Sequence, residues 1–200
     1  MELFEEMQRH LVDDEKPSEF IKKAAFMESY RRPPFTMIFR LSSIEQSPKY
    51  HPEGDALIHT LLVVDEAAKL RDQSTDPVGF MWAALLHDIG KFTTTRMRKG
   101  RITSYDHDRE GGKLAAEFMS YFPVSQEMVD YVSGMVRFHM HILYINQNLP
   151  FGQPKELVRQ VPVKDVALLG FADRMGRLGA DKEKETKEIR QFKDKMKKYH

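Results

Sequence analysis

The stretch AALLHDIGK, Ala83 to Lys91, decides how this chain is read. Ala83, Ala84, Leu85 and Leu86 have the character of a buried helical segment, and they deliver two adjacent metal-ligand types, His87 and Asp88. A buried carboxylate must be neutralised, paired or bound to a metal. Gly90 stands where a helix can end in a left-handed cap, which predicts that His87 and Asp88 lie on a last turn with Lys91 just beyond it. The partners of this pair must come from elsewhere in the chain.

Outward from that stretch the pattern is mostly helical. Asp76-Pro77 fits an N-cap followed by proline at the first helical position and starts the helix that carries His87 and Asp88. Before it, a helix over about 56–70, capped by Asp55, turns Leu57, Leu61, Val64 and Ala68 to one face and carries His59 near its start. Residues 2–12 and 18–28 have helical spacing, with Ser18 as a plausible N-cap. RRPP at 31–34 breaks that run, and 35–44 is helical again. After Gly90, the segment TTTRMRKGRITSY centred on Lys99-Gly100 reads as a short β-hairpin, with a mobile basic loop as the alternative. Helices follow over about 109–121, 125–138 and 163–178. The segment HMHILYINQNLPFGQP reads as an irregular connection with a short helical turn, and the tail 181–198 as a solvated charged helix. The predicted fold is all-α, with a possible hairpin after the central motif.

Composition narrows the classes. The chain has 200 residues, 31 Lys plus Arg against 30 Asp plus Glu, and no cysteine. A length of this order favours one domain with a proper core. The near-zero net charge offers no global argument for a nucleic-acid or membrane-surface protein. Without cysteine there are no disulfides, thiolate metal sites or cysteine nucleophiles, and no G-x-S-x-G elbow occurs. The N-terminus is acidic and amphipathic, unlike a secretory signal, and no run reaches membrane-spanning length. The expectation is a soluble cytoplasmic protein without a membrane partner.

Two further inward-facing polar residues complete a constellation. His59 interrupts a core-facing helix, and Asp173 interrupts the apolar run LLGFADRMG. Any one such residue is ordinarily satisfied by protein hydrogen bonds. His59, His87, Asp88 and Asp173 together make a mixed imidazole and carboxylate shell suited to a hard or borderline divalent metal. His107 and His139 lie between the central pair and Asp173, and His141 could replace His139 if the helix ended early. Lys91, Arg109 and Arg177, the last at i+4 from Asp173, are candidate phosphate contacts. Asp108 or Glu110 could assist proton transfer by proximity to His107. Arg96, Arg98, Lys99 and Arg101 make a denser basic patch that is either solvated or contacts a nucleotide or RNA phosphate. His10, His51 and His200 are not expected to be ligands, although His51 could support the site.

His59, the HD pair at 87–88 and Asp173 together resemble the signature of the HD-domain metal-dependent phosphohydrolase superfamily. HPEGD at 51–55 and ADRMGR at 172–177 are similar to the C-terminal HD domain of bacterial CCA-adding tRNA nucleotidyltransferases. The likeness covers roughly residues 48–178. The expected organisation is one HD domain over 1–200, with an HD core at 48–178, while the N-terminal helical extension at 1–47 and the charged C-terminal helix at 179–200 have no assigned counterpart in the resemblance. The glycine-rich turn and paired aspartates of the nucleotidyltransferase head are not seen, so nucleotide addition is not carried over.

The resemblance also implies a metal count. His59, His87, Asp88 and Asp173 would hold one ion, while His107, His139 and the other oxygen of Asp88 would hold a second, as in members with two. The ion could be Mn, Fe, Co, Ni, Mg or Zn. The expected chemistry is hydrolysis of phosphomonoesters or phosphodiesters by metal-activated water, with Asp88 and Lys91 as catalytic residues and Lys91, Arg109 and Arg177 binding substrate. Likeness to the CCA-enzyme domain shifts the substrate towards nucleotides or RNA ends. The competing expectations are a catalytically silent module that holds a nucleotide, and a structural helical domain whose charged tail pairs with a partner.

Overall fold

A computed structural model describes residues 2–199. Helices α1 (Glu2–Asp13) and α2 (Pro17–Ala24) are followed by a 3-10 turn at Glu28–Tyr30, the short α3 (Thr36–Phe39) and a second 3-10 turn at Arg40–Ser43. The centre is made by α4 (Ala56–Ala68) and α5 (Pro77–Leu86). A short α6 (Lys91–Thr94) leads into a two-stranded hairpin, β1 (Arg96–Arg98) and β2 (Arg101–Thr103). The remaining helices are α7 (His107–Ser120), α8 (Gln126–Phe138), α9 (His141–Asn146), α10 (Pro154–Gln160), α11 (Val163–Met175) and α12 (Lys182–Met196). The fold is all-α apart from the hairpin, as expected.

The caps at the core helices follow from sequence chemistry. Asp55 accepts from Ile58 N at 2.9 Å and Asp76 from Gly79 N at 3.0 Å, each satisfying an otherwise orphan N-terminal donor. Pro77 at the first position of α5 gives up no hydrogen bond there. Every residue from Gly79 to Leu86 is buried, because α5 is surrounded by α1, α4, α8 and α11. Trp82 stacks on Phe4 of α1 with ring centroids 4.5 Å apart. Truncating a buried aromatic of this kind typically costs about 3–5 kcal/mol. The loop entering α5 is tied down by buried Asp165 of α11, which accepts from Thr75 N at 3.1 Å and from the Tyr131 hydroxyl at 2.7 Å. These ties fix the direction in which α5 delivers its C-terminal end.

Several local expectations are corrected. Ser18 is not an N-cap: it lies inside α2, and its hydroxyl donates to Asp65 of α4 at 2.7 Å, joining the N-terminal helices to the centre. Residues 35–44 form only the four-residue α3 and a 3-10 turn. The segment after His139 holds the short helix α9 and then a non-helical stretch over 147–153, which ends where Pro154 starts α10 at its first position. The tail helix α12 is not simply solvated. Ile189, Phe192 and Met196, three and four residues apart, are buried and face α9 and α11, a stripe hidden in the sequence by flanking charges.

Gly90 departs from the cap reading most informatively. Its φ is −67°, a right-handed value, so no left-handed cap is formed. A Cβ built on it would lie 2.1 Å from the carbonyl oxygen of His107 and 2.6 Å from Gly111 N. Glycine is needed here so that two backbones can touch. The hairpin turn shows the other use of glycine: Lys99 and Gly100 both have positive φ, 49° and 73°, as a two-residue type I′ turn requires. No helix among the described residues is long and apolar enough to cross a membrane.

Candidate metal centre

Five elements converge on one buried polar cluster. His59 comes from the first turn of α4, His87 and Asp88 from just past the end of α5, His107 from the start of α7, His139 from just past α8, and Asp173 from the last turns of α11. All six are buried. The close backbone approach at Gly90 brings the start of α7, and with it His107, against the HD turn.

Asp88 is the pivot. Its Oδ2 lies 3.3 Å from His87 Nε2 and 3.8 Å from His59 Nε2. Its Oδ1 lies 3.5 Å from His107 Nε2 and 4.0 Å from His139 Nε2. The carboxylate therefore faces two separate imidazole pairs with its two oxygens. Asp173 Oδ1 is 3.1 Å from His59 Nε2 on the first side. Donor atoms around a four-coordinate ion at about 2.0–2.1 Å stand roughly 3.3 Å apart. The triples His59, His87, Asp88 and Asp88, His107, His139 each bring their ligand atoms within 4.8 Å of one another, wider than that spacing but near enough to close on an ion, as does the adjoining group His51, Glu53, His59.

The imidazoles are held in one consistent tautomer. Nδ1 of His87, His107 and His139 lies 2.9, 2.8 and 2.6 Å from the carbonyl oxygens of Ala84, Ser104 and Val136. Each must donate there, which leaves Nε2 as a lone pair pointing into the cluster. His107 Nε2 and His139 Nε2 consequently stand 3.2 Å apart with no proton between them, a repulsive contact that a shared cation reverses. His87 Nε2 and Asp88 Oδ2 are both buried without a hydrogen-bond partner, although the ammonium of Lys91 stands 2.7 Å from that oxygen. These features fit a divalent cation, which takes deprotonated ligands.

The electrostatics agree with that fit. Burial pushes His107 and His139 down to about 4, so both are neutral at ordinary pH. For Asp88, burial is outweighed by Lys91 and His87, which hold the carboxyl well below its usual range. For Asp173, burial is likewise outweighed by Arg177 and His59. His59 is the exception: burial lowers it, but the carboxylates of Asp173 and Glu53 carry it above its ordinary value.

Glu53 was not singled out from sequence. Its Oε1 lies 2.9 Å from His59 Nδ1 and 2.9 Å from His51 Nδ1. Burial is outweighed by these hydrogen bonds, and the Glu53 carboxyl falls to about 2. Among the four imidazoles of the cluster, His59 is thus backed by a carboxylate where the other three are backed by backbone carbonyls. Glu53 lies within HPEGD, which carries only the family likeness and has no pattern that marks this acid. His51 meets the cluster through Glu53 and by packing edge-on against the His59 ring, with centroids 4.7 Å apart. Gln46 was also missed, and it accepts from Lys91 Nζ at 2.5 Å.

The remaining candidates divide. Lys91 is buried, with Nζ 2.7 Å from Asp88 Oδ2, and it begins α6 just beyond the HD turn. Arg177 spans both oxygens of Asp173 at 3.1 and 3.2 Å, and its side chain is partly exposed. Arg109 is not brought to the cluster: it is exposed and lines an outer groove with Asp106, Lys113 and Arg137. Asp108 is committed to Arg137 at 2.8 Å and Glu110 to Lys113 at 2.7 Å, so neither is a free proton carrier. His141 does not replace His139. It is buried against the rings of Phe138 and Tyr144, outside the groups that can hold a metal. His10 pairs with Asp14, and His200 lies outside the described residues.

Comparison with known proteins agrees with this constellation. A "Multifunctional CCA protein" from Stenotrophomonas maltophilia (strain K279a) is 30% identical over 183 residues, covering 88% of this chain and 43% of that protein. The protein of the same name from Alkalilimnicola ehrlichii is 32% identical over 148 residues, 71% of this chain and 34% of its own length. That from Actinobacillus pleuropneumoniae serotype 5b is 34% identical over 102 residues, 51% and 24% respectively. The chain therefore spans between a quarter and a little over two fifths of the length of these curated relatives. Residues 56–185 match the family model for the HD domain, a domain that is generally a metal-dependent phosphohydrolase, and the chain belongs to the HD domain family.

Proposed function

We propose that this chain is a metal-dependent phosphohydrolase acting on phosphomonoesters or phosphodiesters of nucleotides or RNA ends. The observation that carries the reading is the division of Asp88, whose two oxygens face His59 and His87 on one side and His107 and His139 on the other. In this reading His59, His87, Asp88 and Asp173 hold one divalent ion, and Asp88, His107 and His139 hold a second. Such ions polarise a phosphoryl oxygen and lower the pKa of water towards neutrality.

The protein's own residues supply the rest. The Nδ1 hydrogen bonds keep every Nε2 lone pair directed inward. Arg177 clamps Asp173 in place and neutralises part of its charge. Lys91 balances Asp88 in the metal-free cluster, and its ammonium stands where a substrate phosphate beside the ions would meet it. The choice of nucleotides or RNA ends rests on the resemblance to the HD domain of CCA-adding enzymes and on the name its relatives carry.

The test is the Asp88→Ala variant, compared with wild type for bound Mn, Fe, Co, Ni, Mg and Zn and for turnover of phosphomonoesters and cyclic phosphodiesters. The expected result is loss of turnover together with loss of metal, while His107→Ala loses one ion per chain. A wild-type protein inert with all six metals overturns the enzyme reading. Tight nucleotide binding without turnover would identify a silent binding module instead.

A further inference from the structure

The basic hairpin is not absorbed by the metal centre. Arg96, Arg98, Lys99 and Arg101 are all exposed, and no acidic residue lies between Asp88 and Asp106 to balance them. The register places Arg98 directly opposite Arg101, and like charges in that position destabilise a strand pair. A two-stranded hairpin is marginal by itself in water. Holding its charges in mutual repulsion is a cost that an approaching polyanion removes.

Two exposed tyrosines accompany these charges. Tyr105 is 63% exposed, with the Arg98 guanidinium 5.2 Å from its ring centroid. Tyr50 is 60% exposed, with the Lys49 ammonium 5.3 Å from its ring centroid. Each ring stands on a segment anchored to the polar cluster at both ends. The hairpin segment runs from Lys91, beside Asp88, to His107. The loop of Tyr50 runs from Gln46, bonded to Lys91, to Glu53, bonded to His59.

We propose that these two segments form a binding surface for a single-stranded polynucleotide, whose phosphates meet the hairpin cations and whose bases stack on Tyr105 and Tyr50. A single strand offers a charged phosphate and an open π face with every nucleotide, matching paired cations and rings, whereas a duplex keeps its bases stacked inside. The delivery of that strand to a hydrolytic centre rests on the phosphohydrolase reading; its binding does not.

The experiment is fluorescence anisotropy of a fluorescein-labelled single-stranded decauridylate with the full chain over a salt series. Single strands give a slope of log affinity against log salt of about −0.7 per phosphate neutralised. The quadruple variant R96Q/R98Q/K99Q/R101Q should flatten the slope by roughly 3, and Arg101→Gln alone by about 0.7 should the quadruple variant fail to fold. Tyr105→Ala and Tyr50→Ala should each weaken binding by about 5- to 150-fold. An unbound oligonucleotide, an unchanged slope, or capture by phosphatidylserine vesicles in its place overturns the proposal. A chain that binds the strand but hydrolyses nothing removes the phosphohydrolase reading alone. A hydrolase whose strand affinity ignores these substitutions removes this one alone.

Discussion

Gly90→Ala is the most demanding perturbation of the site that leaves every polar group in place. The added methyl carbon would stand 2.1 Å from His107 O, 2.6 Å from Gly111 N and 3.0 Å from Gly111 Cα, all of them backbone atoms that no rotamer change can move. Reaching ordinary contact, 3.4 Å or more, requires the first turn of α7 to withdraw by at least about 1.3 Å. Overpacking of this kind costs about 1–3 kcal/mol, and backbone obstruction puts this case at the upper end. For a chain of this length each kcal/mol lowers Tm by about 2–4 °C, so a fall of roughly 6–12 °C is expected. His107, whose Nε2 is 3.5 Å from Asp88 Oδ1, is carried away with its backbone, so the variant should also lose one bound ion. Circular dichroism melts and elemental analysis measure both effects. A Tm within about 2 °C of wild type with unchanged metal content would refute the claim that backbone contact at Gly90 builds the second half of the site.

Three further outcomes follow from the same geometry. Glu53→Gln removes the carboxylate behind His59 and should weaken metal binding about 10- to 100-fold in a chelator competition, whereas unchanged affinity would make Glu53 a loop residue only. Phe192→Ala should cost about 3–5 kcal/mol in urea unfolding, because the ring is wholly buried; a change below 1 kcal/mol, on the same order as a surface substitution, would return α12 to a solvated helix. Metal-free protein should lose stability as pH falls from about 6.5 to 4. His107 and His139 sit near 4 when folded and near 6.5 when unfolded, so across that window the unfolded chain binds protons that the folded chain refuses. His59, shifted upward, contributes stability that is lost at higher pH, outside that window. Equal urea midpoints at pH 7 and pH 5 would contradict this assignment.

What was legible in the sequence was whatever broke a pattern. Asp55 and Asp76 were readable as caps because a short acid before an apolar run has one common use, and both accept the predicted kind of backbone hydrogen bond. Lys99-Gly100 was readable because few residue pairs accept two positive φ values. The α12 stripe was not, because Ile189, Phe192 and Met196 are diluted among charges and only the surfaces of α9 and α11 give them something to cover. Ser18 misled for the converse reason: a hydroxyl near a helix start caps by default, and the partner that claims it, Asp65, is 47 residues away.

Four of the six residues that meet in the cluster, His59, His87, Asp88 and Asp173, were legible because each is polar where its neighbours are apolar; His107, flanked by Asp106 and Asp108, and His139 were legible only through the family resemblance. The positioning shell was not. Glu53 lies in a loop of polar residues where one more carboxylate breaks no pattern, and its importance comes from geometry alone, a single oxygen 2.9 Å from two imidazoles. Arg109 was plausible by proximity to His107, yet adjacent helical positions point in different directions, and two residues along α7 is enough to turn a side chain from the cluster to an outer groove. Gly90 was assigned to the right place for the wrong cause. A glycine that relieves its own φ and a glycine that admits another backbone look identical in one sequence, and only the second couples the HD turn to His107.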